Sequence, residues 1–368
     1  MPKVGIITCS REPNYGACLQ AFATQKILEK LGCQAEILNY TFEDERSYLP
    51  FKHKNPKTVL ACIMFYRLRY SQYLAFDSFH KKMAYSERVY KEYEDFKRAA
   101  DEYDIILTGS DQVWNPLLGI DIGVTLQEFY HSGAKKISYA SSFGISELAP
   151  EIKERYRKAL SEFSWLSVRE AQGQKIISAL LGREVPAVLD PTMLFTSREW
   201  SEYEQGSVPD KPYILFYDMR HNSDLISYAE KIASQKNCEI AALSRVNFPF
   251  KNIKTLKGVT PGNMLSLFRN AEYVVTDSFH GTVFSILYHK PFSVQCSGEG
   301  VKLGSRIVNL LEMTGLTDRL LSDYTKDARE SIDFTNADKK LSEQREYSLE
   351  YLRNAVFEEE DSKNGQIR

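Results

Sequence analysis

Hydrophobic and polar positions alternate along the chain in a pattern that predicts strands and helices in turn. A short apolar run, VGIITCS, precedes a polar loop and then ACLQAFATQKILEKLG, in which apolar residues recur at helical spacing up to Gly32. The segment QAEILNY has the apolar character of a second strand. This strand–helix–strand order predicts a parallel α/β sheet that starts near residue 3.

The same alternation continues for most of the chain. One series comprises YDIILTGS, AKKISYASSFG, EIKERYRKALSEF, WLSVRE, AQGQKIISALLG and PAVLDPTMLF. A second series comprises PYILFYD, SDLISYAEKIASQK, CEIAALS, TPGNMLSLFRNA, YVVTDSFHG and PFSVQCS. The two series are separated by residues 196–212, which are polar and carry Gly206, Pro209 and Pro212, as is typical of an inter-domain linker. We therefore expect two Rossmann-like α/β domains that face a ligand-binding cleft.

These series also set the expected domain boundaries. We place the N-terminal domain at residues 1–200, the C-terminal domain at 201–335, and a long C-terminal helix with a tail at 336–368. Residues 44–102 do not follow the alternation of predicted strands and helices, and they are rich in Tyr, Phe and charged residues. Their apolar positions recur at helical spacing, which predicts a helical insertion in the first domain. The final EEEDSKNGQIR is expected to be frayed.

Composition and charge narrow the class of protein. A chain of 368 residues with 43% hydrophobic and 26% charged residues is typical of a globular protein with two domains. Its net charge of −2 argues against nucleic acid as a partner and allows at most peripheral contact with a membrane. No stretch approaches the roughly 18 apolar residues of a membrane helix, and we find no signal peptide. We therefore expect the protein in the cytoplasm or at the inner face of the membrane.

The sequence lacks the short motifs that indicate a metal or a nucleotide cofactor. The six cysteines form no CxxC pair and the six histidines form no HxH or HxxxH set, so we expect reduced thiols and no metal site. The loop TCSREPNYGACLQ has no GxGxxG arrangement, and no GxxxxGK[ST] occurs. Dinucleotide and P-loop ATP chemistry are therefore disfavoured, and no cofactor is expected.

The tetrapeptide DSFH occurs twice, in different contexts. Asp77–His80 lies within the predicted helical insertion, which favours a structural role. Asp277–His280 follows the apolar run of a predicted strand and precedes Gly281 and a predicted helix. A helix that begins at the carboxyl end of a strand presents backbone N–H groups and a positive dipole to an anion. The second copy is therefore the candidate for function, with helix capping alone as the alternative.

Six segments of the chain resemble the polysaccharide pyruvyl transferase family. They are NYGACLQAFATQ (14–25), LTGSDQVWNP (107–116), ISYASSFG (137–144), LSVRE (166–170), VLDPTMLF (188–195) and VVTDSFHGTVFSILYHKPF (274–292). The resemblance implies a two-domain fold of the glycosyltransferase-B type. It also implies transfer of the pyruvyl group of phosphoenolpyruvate to two hydroxyls of a sugar, which forms a ketal and releases phosphate. The acceptor would be a surface polysaccharide or its lipid-linked precursor.

On the donor side, the resemblance implies an anion site with cations and oriented donors. The residues that it implies for phosphoenolpyruvate are Arg169, His280 and Arg306, to which the predicted strand–helix junction adds Ser278 and Gly281. His280 would be the general acid or a phosphate ligand, and Arg169 would clamp the carboxylate or the phosphate. The alternatives are an ion pair of Arg169 with Glu170 or another neighbour, and a surface position for Arg306.

On the acceptor side, the candidates follow the first and third predicted strands of the N-terminal domain. They are Asn14, Tyr15, Gln20, Asp111, Gln112, Trp114 and Asn115. Asp111 would be the base for the attacking hydroxyl or else a helix cap, and Trp114 would stack on a sugar or else lie in the core. Asn14 and Tyr15 would bond hydroxyls or else form a turn.

Two other functions fit the same architecture. One is a glycosyltransferase that uses a nucleotide sugar, and the other is a non-catalytic relative that binds glycans. Stabilisation by a nucleotide sugar but not by phosphoenolpyruvate would favour the first, and glycan binding without phosphate release would favour the second.

Overall fold

A computed structural model describes residues 1–40, 56–90, 95–96, 100–119, 121–128, 133–220, 222–243, 253–296, 305–322, 324 and 331–358. Within these ranges the chain forms two five-stranded parallel sheets, with helices between most successive strands. The expectation of two Rossmann-like α/β domains is therefore confirmed.

The first sheet contains β1 (Lys3–Ile7), β2 (Gln34–Tyr40), β3 (Tyr85–Tyr90), β4 (Ile105–Thr108) and β5 (Lys135–Ser138). The strand order is β3-β2-β1-β4-β5, and all neighbours are parallel. All four residues of β4 are buried, as expected for the centre of a sheet that is covered on both faces.

Helices of this half are α1 (Tyr15–Lys30), α3 (Ile122–Thr125), α4 (Pro150–Ser161) and α5 (Ala171–Leu181). The Asn14 side chain caps α1 by accepting from the N–H groups of Gly16 and Ala17. The helix α5 ends at Gly182, which takes the left-handed conformation that glycine adopts without strain. Short 3₁₀ turns lie at Ala100–Glu102 and Pro191–Met193.

The second sheet contains β6 (Tyr213–Tyr217), β7 (Glu239–Leu243), β8 (Ile253–Thr255), β9 (Tyr273–Thr276) and β10 (Phe292–Val294). Its order is β10-β9-β6-β7-β8 and it is also parallel. When the strands are counted within each half, both sheets have the order 3-2-1-4-5, so the two halves repeat one topology.

The remaining helices are α2 (Pro56–His80), α6 (Ser197–Ser201), α7 (Ser223–Lys236), α8 (Pro261–Asn270), α9 (Phe279–Leu287), α10 (Ser305–Thr314) and α11 (Thr335–Phe357), with a 3₁₀ turn at Thr317–Arg319. Every residue of α9 is buried, which marks it as the central helix of its half. The long C-terminal helix that the sequence predicts is α11; residues 359–368 lie outside the described residues.

The chain divides into two compact units. Unit 1 comprises 1–45, 81–194 and 342–368, and unit 2 comprises 46–80 and 195–341. The end of α11 belongs to unit 1: the Ser348 hydroxyl accepts from the Leu189 N–H (3.0 Å), and the buried Tyr351 hydroxyl donates to the Ser138 carbonyl (3.0 Å). The described residues beyond 341, up to Glu358, therefore belong to the first unit.

The segment predicted as a helical insertion is only partly helical. Its helix α2 belongs to unit 2, while β3 is an edge strand of the first sheet. Only Ser86 and Tyr90 of β3 are buried, so this edge strand carries charged residues that imitate a solvated helix. Residues 44–55, 91–94 and 97–99 lie outside the described residues.

The predicted linker at 196–212 is wrong in its first half. Thr196 and Glu199 form a capping box at the start of α6. Trp200 is fully buried and packs edge-on against Phe284 at 5.6 Å between ring centroids. A buried tryptophan anchors this stretch in unit 2, so it is part of a folded core. None of the described helices is both long enough and apolar enough to span a membrane.

Candidate functional site

Each sheet has one place where the chain reverses the direction in which strands are added. In unit 1 this switch lies between β1 and β4, and in unit 2 between β6 and β9. Ligands of open α/β sheets bind at the carboxyl ends of the strands at this switch. The candidate residues Asp111 and His280 follow β4 and β9, so each lies at the switch of its own unit.

Asp111 has a strained backbone at the end of β4. Its φ of 76° is in the left-handed region, which non-glycine residues rarely adopt. Its Oδ1 accepts from the Gln112 N–H (2.8 Å), and its side chain is 16% exposed. The residues that follow form a turn and not a helix, so the helix-cap alternative for Asp111 is wrong. The carboxylate remains accessible at the sheet edge.

Arg169 lies in a buried cluster of carboxylates. Its Nη1 donates to Asp190 Oδ2 at 2.7 Å, and Asp111 Oδ1 and Glu170 Oε2 are each 3.8 Å from the guanidinium. Asp190 Oδ2 also accepts from the Ser110 hydroxyl (2.9 Å). Burial alone would lower the pKa of the Arg169 guanidinium, but Asp190, Asp111 and Glu170 outweigh it and raise the pKa above its ordinary value.

This cluster changes the role expected for Arg169. The ion-pair alternative is the one that the structure supports, with Asp190 as the main partner in addition to Glu170. The side chain is 2% exposed and faces three carboxylates, so its charge is already compensated. The contacts of Arg169 therefore support a role in positioning Asp111. They do not support a role in clamping a donor anion. Asp190 lies within the motif VLDPTMLF, but nothing in the sequence pairs it with a residue 21 positions earlier.

Residues of the first loop have mainly structural contacts. Asn14 caps α1, and Tyr15 begins it. Gln20 is fully buried, and its amide nitrogen donates to the Thr8 hydroxyl (2.8 Å) and to the carbonyls of Cys9 (3.0 Å) and Ala17 (2.9 Å). The expectation that Gln20 bonds a sugar hydroxyl is therefore wrong, because these bonds occupy its donor group inside the protein.

Trp114 and Asn115 are likewise buried. The Trp114 indole is fully enclosed and its Nε1–H donates to the Thr125 carbonyl (3.2 Å), so it lies in the core and cannot stack on a sugar. Asn115 Nδ2 donates to Gln112 Oε1 (2.9 Å). Gly144, at φ +63°, leaves room for that amide, since a Cβ there would approach Gln112 Oε1 to 2.0 Å. Of these residues, only Gln112 keeps partial exposure.

In unit 2 the turn from β9 into α9 is closely packed. The Thr276 hydroxyl donates to the Tyr217 carbonyl (2.6 Å) and accepts from the Ser278 N–H (3.0 Å). Ser278 caps the helix by accepting from the Gly281 N–H (3.3 Å). A Cβ at Gly281 would lie 2.4 Å from the Thr276 hydroxyl, so only glycine lets the helix start so close to the strand.

His280 lies in the first turn of α9 beside the ring of Phe279, which an arginine also approaches. It is 7% exposed, and its ring meets that of Phe279 edge-on at 5.1 Å between centroids. The Arg306 guanidinium carbon is 5.8 Å from the Phe279 ring centroid, within reach of a cation–π contact. The donor candidates Ser278, His280 and Gly281 therefore lie together at one helix N-terminus, and Arg306 approaches the same helix at Phe279. Arg169 belongs to unit 1.

Asp277 is a residue of this turn that the sequence did not single out for chemistry. Its Oδ1 accepts from the Met219 N–H (2.8 Å), which joins the end of β9 to the end of β6. Its Oδ2 is buried and has no hydrogen-bond partner among the residues that the structure describes. Burial, followed by the nearby Asp218, raises its pKa to about 6, against the lowering effects of the Met219 N–H and of Arg220.

The first DSFH copy occupies the opposite end of a helix. His80 is the last residue of α2, is 8% exposed and lies 6.3 Å from Phe76 between ring centroids. A helix C-terminus carries the negative end of the dipole and offers carbonyl groups, which do not bind an anion.

Comparison with known proteins agrees with this architecture. Solved structures of similar fold include S. aureus MnaA with UDP (8% identity, TM-score 0.52, covering 97% of this chain and 91% of that chain). An α-glucosyltransferase in complex with UDP and a 13-mer DNA is also similar (10%, 0.51, 98% and 96%). A third is a putative UDP-N-acetylglucosamine 2-epimerase from Listeria monocytogenes (11%, 0.50, 97% and 97%). No curated protein sequence gives a significant match.

The repeated Rossmann-like sheets and these likenesses define a fold of the glycosyltransferase-B type. A model of the polysaccharide pyruvyl transferase family matches residues 14–294, which is well over half of the chain. The chain belongs to the polysaccharide pyruvyl transferase family, and the protein is a transferase.

Proposed function

We propose that the protein transfers the pyruvyl group of phosphoenolpyruvate to a pair of sugar hydroxyls, forms a cyclic ketal and releases inorganic phosphate. The sugar would belong to a surface polysaccharide or to its lipid-linked precursor. Family membership supports this proposal, and one local observation carries it. The first turn of α9, with the Ser278 cap, His280 and the neighbouring Arg306, is suited to a small anion.

The proposed chemistry needs a proton for the methylene carbon of the donor. Protonation there leaves a cationic C2 that a sugar hydroxyl attacks, with loss of the hydroxyl proton to a base. Phosphate then leaves with the electron pair of the C2–O bond, and the second hydroxyl attacks C2 and loses its proton to solvent, which closes the ketal. The N–H groups of the α9 first turn and Arg306 would stabilise the phosphate charge, and His280 would give the proton or bind the phosphate.

Unit 1 would supply the acceptor residues. Asp111 is the candidate base, because its carboxylate is accessible and is held by a strained backbone and by Arg169. Gln112 and Asn14 are the remaining polar candidates with partial exposure. Tyr15 begins α1 and is buried, so it is a weaker candidate than these two. The proposal needs no metal or nucleotide cofactor.

Phosphate release from phosphoenolpyruvate in the presence of sugar acceptors tests this function. The wild-type chain and His80→Ala should release phosphate, and His280→Ala should lose at least about 10²-fold in rate. Arg306→Ala should raise the KM for phosphoenolpyruvate, because it removes a cation from the donor site. A thermal shift with UDP-sugars but none with phosphoenolpyruvate would instead favour a nucleotide-sugar transferase, the activity suggested by the UDP-bound neighbours.

A further inference from the structure

The Asp277 carboxyl lies at the junction where β9 ends and α9 begins. Ser278, the N-cap of α9, is the next residue, and the Asp277 side chain is fixed at Oδ1 by the Met219 N–H of the neighbouring strand end. The residue is 5% exposed, and Oδ2 has no partner among the described residues. A buried carboxyl oxygen with no donor beside it has unmet hydrogen-bonding capacity at the start of the candidate anion site.

Two charged residues act on this carboxyl, Asp218 and the exposed Arg220, and both follow β6. The titratable His280 is the second residue of α9, three positions after Asp277. Cys296 follows β10, and burial raises its pKa to about 11, so it stays neutral near pH 7. The negative Asp218 opposes a second negative charge on Asp277, while Arg220 offsets part of this effect. Burial and Asp218 together raise the pKa of Asp277 to about 6.

A bound phosphate would favour the neutral form of the Asp277 carboxyl further. The phosphate of phosphoenolpyruvate carries nearly two negative charges at neutral pH. If it binds at the first turn of α9, it lies close to Asp277, and two anions at this distance disfavour each other strongly in a buried site. A neutral carboxylic acid at the same position would instead donate a hydrogen bond from Oδ2 to a phosphate oxygen.

We propose that Asp277 binds the donor phosphate as a neutral carboxylic acid and gives its proton to that phosphate as it leaves. This inference rests on the proposed function. The bond from C2 of the donor to the bridging oxygen breaks, the electron pair stays on that oxygen, and the proton moves from Oδ2 to the phosphate. Asp277 is then a carboxylate that repels the product, which favours release, and a proton from solvent restores the acid.

Titration calorimetry with phosphoenolpyruvate on the full chain tests the proton uptake. Near pH 7, in buffers of different ionisation enthalpy, binding to the wild type should take up close to one proton. Its apparent Kd should rise roughly tenfold between pH 7 and pH 8, because the free carboxyl must first be protonated. Asp277→Asn, which keeps an acceptor for Met219 and a donor for phosphate, should bind with a nearly pH-independent Kd.

Turnover separates this role from a structural one. Asp277→Asn should bind phosphoenolpyruvate at pH 7 but release phosphate about 10²-fold more slowly, because an amide gives no proton. Asp77→Asn, in the other DSFH copy, should keep both the pH dependence and the rate. If the Kd of Asp277→Asn also rose tenfold between pH 7 and pH 8, or if its rate of phosphate release equalled that of the wild type, this inference would be wrong and the proposed function would stand. Absence of phosphoenolpyruvate binding to the wild type would overturn the proposed function as well.

Discussion

The buried carboxyl of Asp277 should reduce the stability of unit 2 at neutral pH. Its pKa is about 6 in the folded protein, against an ordinary value of 3.8. The folded state therefore binds a proton more tightly than the unfolded state does, so stability falls as pH rises from about 4 through 6 and stays reduced above that range. The difference between these two pKa values corresponds to about 3 kcal/mol at pH 7.5, since a tenfold change in proton affinity is worth about 1.36 kcal/mol.

Asp277→Asn removes the charge and keeps the shape. We expect it to raise the free energy of unfolding by up to about 3 kcal/mol at pH 7.5, and by about 1 kcal/mol at pH 4.5, where much of the wild-type penalty is relieved by protonation. The upper value corresponds to a rise of ~6–12 °C in the unfolding transition of a unit of this size.

Calorimetric melting of both proteins at pH 7.5 and pH 4.5 measures this difference, and the comparison between the two pH values is its own control. Equal melting temperatures at pH 7.5, or an equal gain at both pH values, would show that the carboxyl is not held in a charge-disfavouring environment. Together with slower turnover, the expected gain would identify a residue that costs stability and is needed for activity, a known property of functional sites.

Three further changes test the packing around the candidate residues. Gly281→Ala should destabilise unit 2 by ~1–3 kcal/mol in denaturant unfolding because its methyl group would collide with a threonine hydroxyl, whereas Gly133→Ala, which meets no atom within 4 Å, should have little effect. Arg169→Met should cost ~3–5 kcal/mol because it leaves buried carboxylates without their cation, whereas Arg157→Ala, which breaks an exposed pair, should leave the unfolding transition nearly unchanged. Trp114→Phe should lower the melting temperature but leave the KM for the sugar unchanged, and a raised KM would restore the stacking role.

Much of the fold could be predicted because its signals are local. The central strands, such as Ile105–Thr108 and Tyr273–Thr276, are continuous apolar runs, and cap residues mark where the helices begin. The candidate anion site was also predictable, because the strand, the N-cap serine, the histidine and the glycine are contiguous in sequence. The strand Tyr85–Tyr90 was missed because an edge strand buries few side chains, and its charged residues resemble a helix surface.

The remainder depends on contacts between distant residues. The partner of Arg169 is set by how the 3₁₀ turn at Pro191–Met193 is placed beside the end of β4, and no local pattern encodes that. Trp114 and Gln20 belong to residue types that bind sugars as readily as they fill cores. Both side chains are fully buried in the folded protein, and the order of residues in the sequence does not specify that depth.

The end of α11 has a consequence for how the protein forms in the cell. Ser348 and Tyr351 bond to the backbone of Leu189 and Ser138, so the first unit is closed by residues that are synthesised after unit 2. Domains that are continuous in sequence can fold as they emerge from the ribosome. Here the fold of the N-terminal sheet cannot be completed until the whole of unit 2 has been translated, and part of the surface of the sheet stays uncovered until then. Chaperone demand during synthesis should therefore be greatest for the first unit, although it is made first.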